Sequence, residues 1–571
     1  MSAEDKQEAD LIIIGSGIYG IQAARTYLEV HPDDCVIILE ASSCPGGVWS
    51  EERMYDVFWT QTPLQTTEFS DQPLTNVSWN ETYHGYFPAK YFTAYLSDYL
   101  KCHAYNGLSL MDRIIFNASV RRLQKEGWKW VAKIENSDST YTAPKVIDAS
   151  GHTTIPSLPE IPGAETFKGL SLHQKKFGKS DILSDSRYQH ITVIGGAKSA
   201  ADVAYAAAKA GKSVSWIIRK SGSGPAAYAP PTAPVKLYRN SNEAFHHRLM
   251  GTLCASVFSE QSWWSRFIYR TRIGNWILRG LWNTMQADGE KIANFNRADG
   301  KNNGFANLKP DTTVFWQNDS SGVLQRKDFF DVIASHVQVF RQDITHIGGH
   351  EVFLANKTSV NTDVIVYATG WKHLSPYIDD RTASELGLTI PKPTEDSQKA
   401  AKWRELDQRA NNKILKRFPI LSKPPPHYQH GQKEAPFRLY KSIIPVHDHS
   451  IAFIGKLMIG NHCYNAEVQA LYAVAVLDHK IALPSEEHME EEIASVVAWC
   501  KRRYLTKGIA ANWFYWDLVP YTDALLKELG LSSHRKKGWK DLLAPALAPD
   551  LKGLINEYTQ RNTDARAKKS K

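Results

Sequence analysis

Cysteine is scarce and unpaired in this chain. The six cysteines stand at positions 35, 44, 102, 254, 463 and 500, and no two form a Cys-x-x-Cys pair. That pattern excludes the redox cysteine pair of a disulfide reductase, and it predicts reduced thiols in a cytoplasmic protein. No run of about 18 apolar residues occurs, so no membrane-spanning helix is expected. The opening "MSAEDKQEAD" is acidic and polar, unlike a secretory signal or a transit peptide. Metal-ligand spacing is missing too: His246 and His247 are adjacent but no further ligand stands in register with them, so the metal expectation is none.

What is present points to a large folded chain. With 571 residues and 43% apolar content it can bury several cores, and two or three domains are expected. The formal charge of +8 gathers late, in "HRKKGWK" from His534 and in the terminal "RAKKSK". The expectation for such a tail is a solvated, frayed terminus rather than a nucleic-acid contact. Tryptophan is abundant, with 17 residues, which suits an aromatic-lined site or an interface.

Two stretches read as strand, glycine turn, helix. In the first, Leu11–Ile14 is an apolar run of strand length, Gly15-Ser16-Gly17-Ile18-Tyr19-Gly20 fits G-x-G-x-x-G, and Ile21, Ala24 and Leu28 mark one helix face. "CVIILE" follows as a second strand ending in Glu40. The glycines let backbone approach a pyrophosphate, the helix N-terminus supplies N–H donors, and an acid about 20 residues on can bind ribose hydroxyls. The second stretch has the strand Ile191–Ile194, then Gly195-Gly196-Ala197-Lys198-Ser199-Ala200, an alanine-rich helix, and the strand "SVSWIIRK". It ends in Arg219 and Lys220 rather than an acid, which favours a 2′-phosphate and so NADPH. Ala197 takes the place of the middle glycine, and Gly196 is the candidate to compensate for it.

Five segments in order resemble the flavin-containing monooxygenase family. After Glu40 comes "ASSCPGGVW", an arrangement of Gly46, Gly47 and Trp49 found in FAD-binding halves of flavoprotein oxygenases. "FKGLSLHQKKF" supplies the family's F-x-G-x3-H-x3-[YF] signature through Phe167, Gly169, His173 and Phe177. "DVIVYATGW" resembles its A-T-G-Y strand with Trp371 for tyrosine, "RLYKSIIP" its L-Y-K segment, and "IAFIG" with "YNAEVQALYA" its late flavin-side segment. The matches are dense over 8–220 and 335–477. The resemblance implies FAD held by Gly15, Gly17, Gly20, Glu40, Gly47, Trp49, Thr369, Gly370 and Glu467, and NADPH held by Gly195, Gly196, Ser199, Arg219 and Lys220. It implies O2 and a small organic molecule as substrates, N- or S-oxygenation as the chemistry, and Gln61 and His173 as the residues nearest to it. Gln61 is a departure, since the family shows T-N-T where this chain has Thr60-Gln61-Thr62. His173 reads as a polar contact coupling two domains, with proton transfer as the alternative.

The fold class implied is α/β: two Rossmann-like dinucleotide-binding domains, with a mainly helical insertion and a helical C-terminal extension. The FAD domain is expected to be discontinuous, over 1–165 and 371–485. The NADPH domain is expected at 166–370 with an insertion over 222–320, and the extension with its basic tail at 486–571. A second insertion spans 376–436. The stretch 262–285 mixes tryptophans with arginines and is open to three readings: a peripheral membrane contact, a cap over a tunnel to the flavin, or a helix packed on its own domain. Two functional alternatives stand beside oxygenation at N or S. One is a Baeyer–Villiger oxygenase or epoxidase on the same scaffold, against which Phe177-Gly178 argues. The other is a flavin-binding scaffold without turnover.

Overall fold

The computed structural model describes residues 6–316, 322–391, 397–425 and 435–569. Residues 392–396 and 426–434 of the second insertion lie outside the described residues, as do the last two of the basic tail.

Two five-stranded parallel sheets organise the chain. The first has the strand order Ile451–Phe453, Lys145–Asp148, Leu11–Ile14, Val36–Leu39, Ile114–Ile115. Its strands Leu11–Ile14 and Val36–Leu39 are apolar at every position because both faces are covered. Leu11, Ile13, Val36 and Ile38 join the core beneath helices Ile18–Val30 and His462–Leu477. Ile12, Ile14, Ile37 and Leu39 point the other way, against the sheet that contains Trp130, Ala132 and Ala143. A strand from beyond residue 450 therefore completes a sheet begun at residue 11, so the polypeptide leaves this lobe and returns.

The second sheet has the order Leu170–His173, Val364–Tyr367, His190–Ile194, Ser213–Ile218, Val337–Arg341. Helices Lys198–Lys209 and Phe329–His336 cover one face. A three-stranded antiparallel sheet over residues 344–361 covers the other, through Ile347, Val352 and Val360. The two passages between lobes pair with each other: Ile155–Pro156 runs antiparallel to Trp371–Lys372, with Pro156 opposite Trp371.

Helices Glu486–Arg503 and Leu518–Glu528 build a further layer. The middle of the 222–320 stretch packs on this layer rather than on the second sheet, and buried polar groups explain why. Arg503 is fully buried and donates Nε–H to Cys254 O at 2.8 Å and Nη1–H to Phe315 O at 2.6 Å. Trp499 donates to Ala255 O at 2.7 Å. Each satisfies a loop carbonyl that would otherwise be stranded away from water.

Candidate functional site

The first glycine turn is tight at two of its glycines and open at the third. Gly15 has φ +96°, a left-handed conformation that favours glycine, and a Cβ on Gly20 would lie 1.9 Å from Gly15 O, so helix and strand touch there. Gly17 is different. A Cβ built on it meets nothing nearer than the Gly47 Cα at 3.8 Å. The space in front of this helix N-terminus is therefore open on the protein side, as a dinucleotide pyrophosphate requires. The Gly46-Gly47 loop closes over the turn, with Gly46 N–H donating to Ser16 O at 3.0 Å. Trp49 follows, packed on Phe58 and Phe92 with ring centroids 5.7 and 5.5 Å away. Glu40 is buried and accepts from Ser16 N and Oγ at 2.8 and 2.7 Å and from Ser42 N at 2.8 Å, so it sits at the end of its strand beside the turn.

Glu467 is buried on helix His462–Leu477. Its carboxylate accepts from Ser70 N at 2.7 Å and from Ser70 Oγ, which ties the Ser70-Asp71 stretch to that helix. Burial pushes its pKa up to about 7, against the pull of Ser70 and Arg25.

The second turn is more enclosed. Gly195 has φ +143°, and a Cβ there would lie 2.3 Å from Ala368 O. A Cβ on Gly196 would lie 2.7 Å from Gly224 O, and Gly196 O accepts from Ala226 N at 2.7 Å. Gly196 is thus needed for the loop that crosses it, a packing reason for glycine that stands beside the expectation that it compensates for Ala197. Ser199 is half-buried on the first turn of the helix Lys198–Lys209. Arg219 and Lys220 are exposed just past their strand, with the Arg219 side chain lying over Gly222.

His173 ends the edge strand Leu170–His173 opposite Tyr367. Its Nε2 lies 3.0 Å from Gly370 O, and its Nδ1 accepts from Lys175 N at 3.2 Å. Both ring nitrogens are engaged, which requires the neutral Nε2–H tautomer, and burial lowers the pKa accordingly. Its ring meets Trp371 edge-on at 4.7 Å, and the Arg53 guanidinium stands 5.6 Å from the centre of that indole. Thr369 donates to Ser157 O, fixing the turn that leads into Gly370, where φ is +88°. Phe177 meets Tyr55 edge-on at 5.1 Å, and a Cβ on Gly178 would lie 2.6 Å from the Arg53 carbonyl. The signature segment therefore clamps the two lobes together.

Gln61 is exposed, and its amide makes no hydrogen bond among the described residues. Its neighbour Thr60 is held: Gln325 donates to Thr60 O at 2.9 Å. Beside this contact Arg326 stacks over Trp59 at 4.8 Å and Tyr205 at 5.6 Å. Its Nη1 is buried without a partner among the described residues. Burial lowers the Arg326 pKa, and Asp202 is the acid that most opposes that shift. Asp202 also pairs with Lys198. Asp202 and Asp328 face the cations Lys198, Lys209 and Arg326, so cations outnumber acids by one and the group suits an anion. The sequence does not reveal Arg326. It is distant along the chain from the second glycine turn, folding alone brings it near Lys198 and Asp202, and no local motif marks it.

A second polar group gathers where the returning strand ends. Lys456 donates to Asp148 Oδ1 at 3.0 Å and Ser150 Oγ at 2.6 Å. His152 Nδ1 lies 3.3 Å from Gly455 O, and its Nε2 is buried without a partner among the described residues. His462 Nδ1 lies 3.0 Å from Tyr19 Oη. Asn512, from the C-terminal extension, donates to Lys456 O at 3.1 Å and stands 3.3 Å from His373 Nδ1. Burial lowers the pKa of His152 to about 4 and those of His373 and His462 to about 3, so all three are neutral near pH 7. The group draws on the segments around 148–152, 373, 456–462 and 512, and no local spacing marks it in the sequence. Among the described residues no group of side chains has the makings of a metal site.

A family model described as pyridine nucleotide-disulphide oxidoreductase matches residues 12–240. An FAD-dependent monooxygenase of Aspergillus sclerotiorum is 31% identical over 96% of this chain and 98% of its own length. Another, from Pyrenophora dematioidea, is 30% identical over 92% of this chain and 99% of its own. Among solved structures, cyclohexanone monooxygenase from Rhodococcus sp. Phi1 bound to NADP+ has a TM-score of 0.60 at 15% identity, covering 92% of this chain and 98% of that one. That likeness is one of fold.

Proposed function

Because the chain belongs to the FAD-dependent monooxygenases of the flavin-containing type, we propose that it uses NADPH and O2 to insert one oxygen atom into a small organic substrate. N- or S-oxygenation within secondary metabolism is the reading taken. The observation that carries it is the open space at Gly17 in one lobe, joined through the signature segment to the lobe that holds the second glycine turn. FAD and NADPH, when bound, supply hydride transfer and oxygen activation.

The chain's own part is to bind, orient and exclude water. Gly15, Gly17, Gly20, Gly47, Trp49 and Glu40 form the FAD cradle. Gly195, Gly196, Ser199, Arg219 and Lys220 form the NADPH site, with Arg219 selecting the 2′-phosphate by charge-assisted hydrogen bonds. Thr369, Gly370 and Glu467 are read as further contacts to FAD. His173 is assigned a positioning role, supported by the use of both ring nitrogens. Gln61 would stand on the oxygen side of a bound flavin, where its longer amide would alter the hydrogen-bond geometry that asparagine provides. Arg326 supplies charge for an anionic group such as a nucleotide phosphate. That cation also gives substance to a second reading, oxygenation of a ketone to an ester, in which more negative charge develops at the reacting oxygen.

The test is metabolite profiling with and without the protein. A product one oxygen atom heavier than its precursor, labelled when the gas is 18O2, supports the proposal. Equal profiles in the presence of flavin-loaded protein and NADPH would remove it.

A further inference from the structure

Helices Trp263–Arg270 and Arg272–Ala293 form a hairpin with two unlike sides. One side is anchored: Ile268, Tyr269, Leu278 and Trp282 are buried in the helical layer. On the opposite side of the longer helix, Ile273, Trp276, Ile277 and Gly280 follow an i, i+3, i+4, i+7 spacing and make one stripe. Its apolar side chains stand outside the core. Trp276 is 75% exposed, Ile273 64% and Ile277 39%, and Trp263 on the first helix is 72% exposed. Single exposed apolar residues are ordinary, but a hairpin that exposes two tryptophans and two isoleucines is not.

The charges between residues 263 and 280 are of one sign. Arg266 and Arg270 share the exposed side of the first helix with Trp263, and Arg272 and Arg279 flank the stripe on the second. All four are exposed, and none has an ion-pair partner among the described residues. Of the acids at the two ends of the hairpin, Glu260 pairs with Lys527 and Glu290 with Lys309, and the exposed Asp288 lies about two turns beyond the stripe. A surface of this kind complements one that is apolar beneath and anionic above. Among the described residues no helix is long and apolar enough to cross a membrane, so the element would lie on a bilayer rather than span it. We propose that this hairpin docks on anionic lipid, with Trp263, Ile273, Trp276 and Ile277 at the headgroup–acyl boundary and the four arginines on lipid phosphates.

The experiment is co-sedimentation of the flavin-loaded full chain with vesicles of phosphatidylcholine, with and without phosphatidylserine, at low and high salt. Binding to the anionic vesicles at least about tenfold tighter than to neutral ones, and weakened by salt, is expected. Arg272→Gln with Arg279→Gln should weaken it by about thirty-fold, and Trp276→Glu should abolish it. These side chains are exposed, so bound flavin and thermal stability should be unchanged in the variants. If Trp276→Glu loses flavin or stability, the arginine pair carries the test. No binding by the natural chain, equal binding to both vesicle types, or unchanged binding by the arginine variant would overturn the proposal. So would a dimer in light scattering that Trp276→Glu splits, since a second copy would then cover the stripe.

Discussion

Gly17 and Gly20 separate ligand approach from protein packing, so a pair of alanine variants tests the first turn. In Gly20→Ala the new methyl would lie 1.9 Å from Gly15 O and 2.9 Å from Gly15 C. Both are backbone atoms, so nothing flexible can yield. Overpacking of this kind costs about 3 kcal/mol or more, against which the gain in helix propensity is about 1 kcal/mol. In Gly17→Ala the nearest atom is 3.8 Å away, and φ is −76°, so alanine fits. Its cost to the protein alone is about 1 kcal/mol or less. The methyl would, however, stand where a pyrophosphate must approach. A loss of about 2 kcal/mol there corresponds to roughly thirty-fold weaker FAD binding. The assay is thermal unfolding of the apoprotein alongside FAD titration of each variant. Gly17→Ala should unfold close to the natural protein yet bind FAD poorly, while Gly20→Ala should be unstable with or without FAD. Gly17→Ala with natural FAD affinity would refute the placement of the ligand.

Three further outcomes are expected. Arg219→Ala should weaken NADPH far more than NADH, and equal loss for both in a binding titration would remove Arg219 from the site. Without substrate, the natural protein should release H2O2 faster than Gln61→Asn, measured with a peroxidase-coupled dye; slower release would make Gln61 an adaptation rather than a loss. Glu467 is held neutral by burial up to about pH 7, so its contribution to stability is present below the unfolded value of 4.5 and is lost as pH rises through about 7. The loss is about 3 kcal/mol. Glu467→Gln should flatten the fall in Tm over that window, and an unchanged pH profile would contradict the assignment.

The parts of this structure that are legible in sequence are those whose function imposes a local pattern. A dinucleotide turn needs strand, glycines and helix in one continuous stretch, so Gly15 to Gly20 and Gly195 to Ala200 can be placed by reading. The signature around His173 can be found but not interpreted, because its meaning lies in what Gly370, Tyr55 and Arg53 do on its far side. The turn pattern assigns Gly196 to a ligand but does not reveal that Gly224 O also forbids a side chain there. Arg326, His152, His373 and Asn512 are invisible for a different reason: each is a single polar residue delivered from a separate segment, and a lone histidine or arginine carries no spacing. The packing of the 241–293 helices on the C-terminal layer is hidden likewise, since it rests on the buried contacts of Arg503 and Trp499 with distant carbonyls.

On the proposed function, one chain brings a reducible flavin and NADPH into reach of each other and of oxygen. The direct measurement is the absorbance of the purified, flavin-loaded protein mixed with NADPH without oxygen, followed by admission of air. The flavin bands should bleach on mixing and return with consumption of O2. Flavin that stays oxidised under excess NADPH would contradict the account.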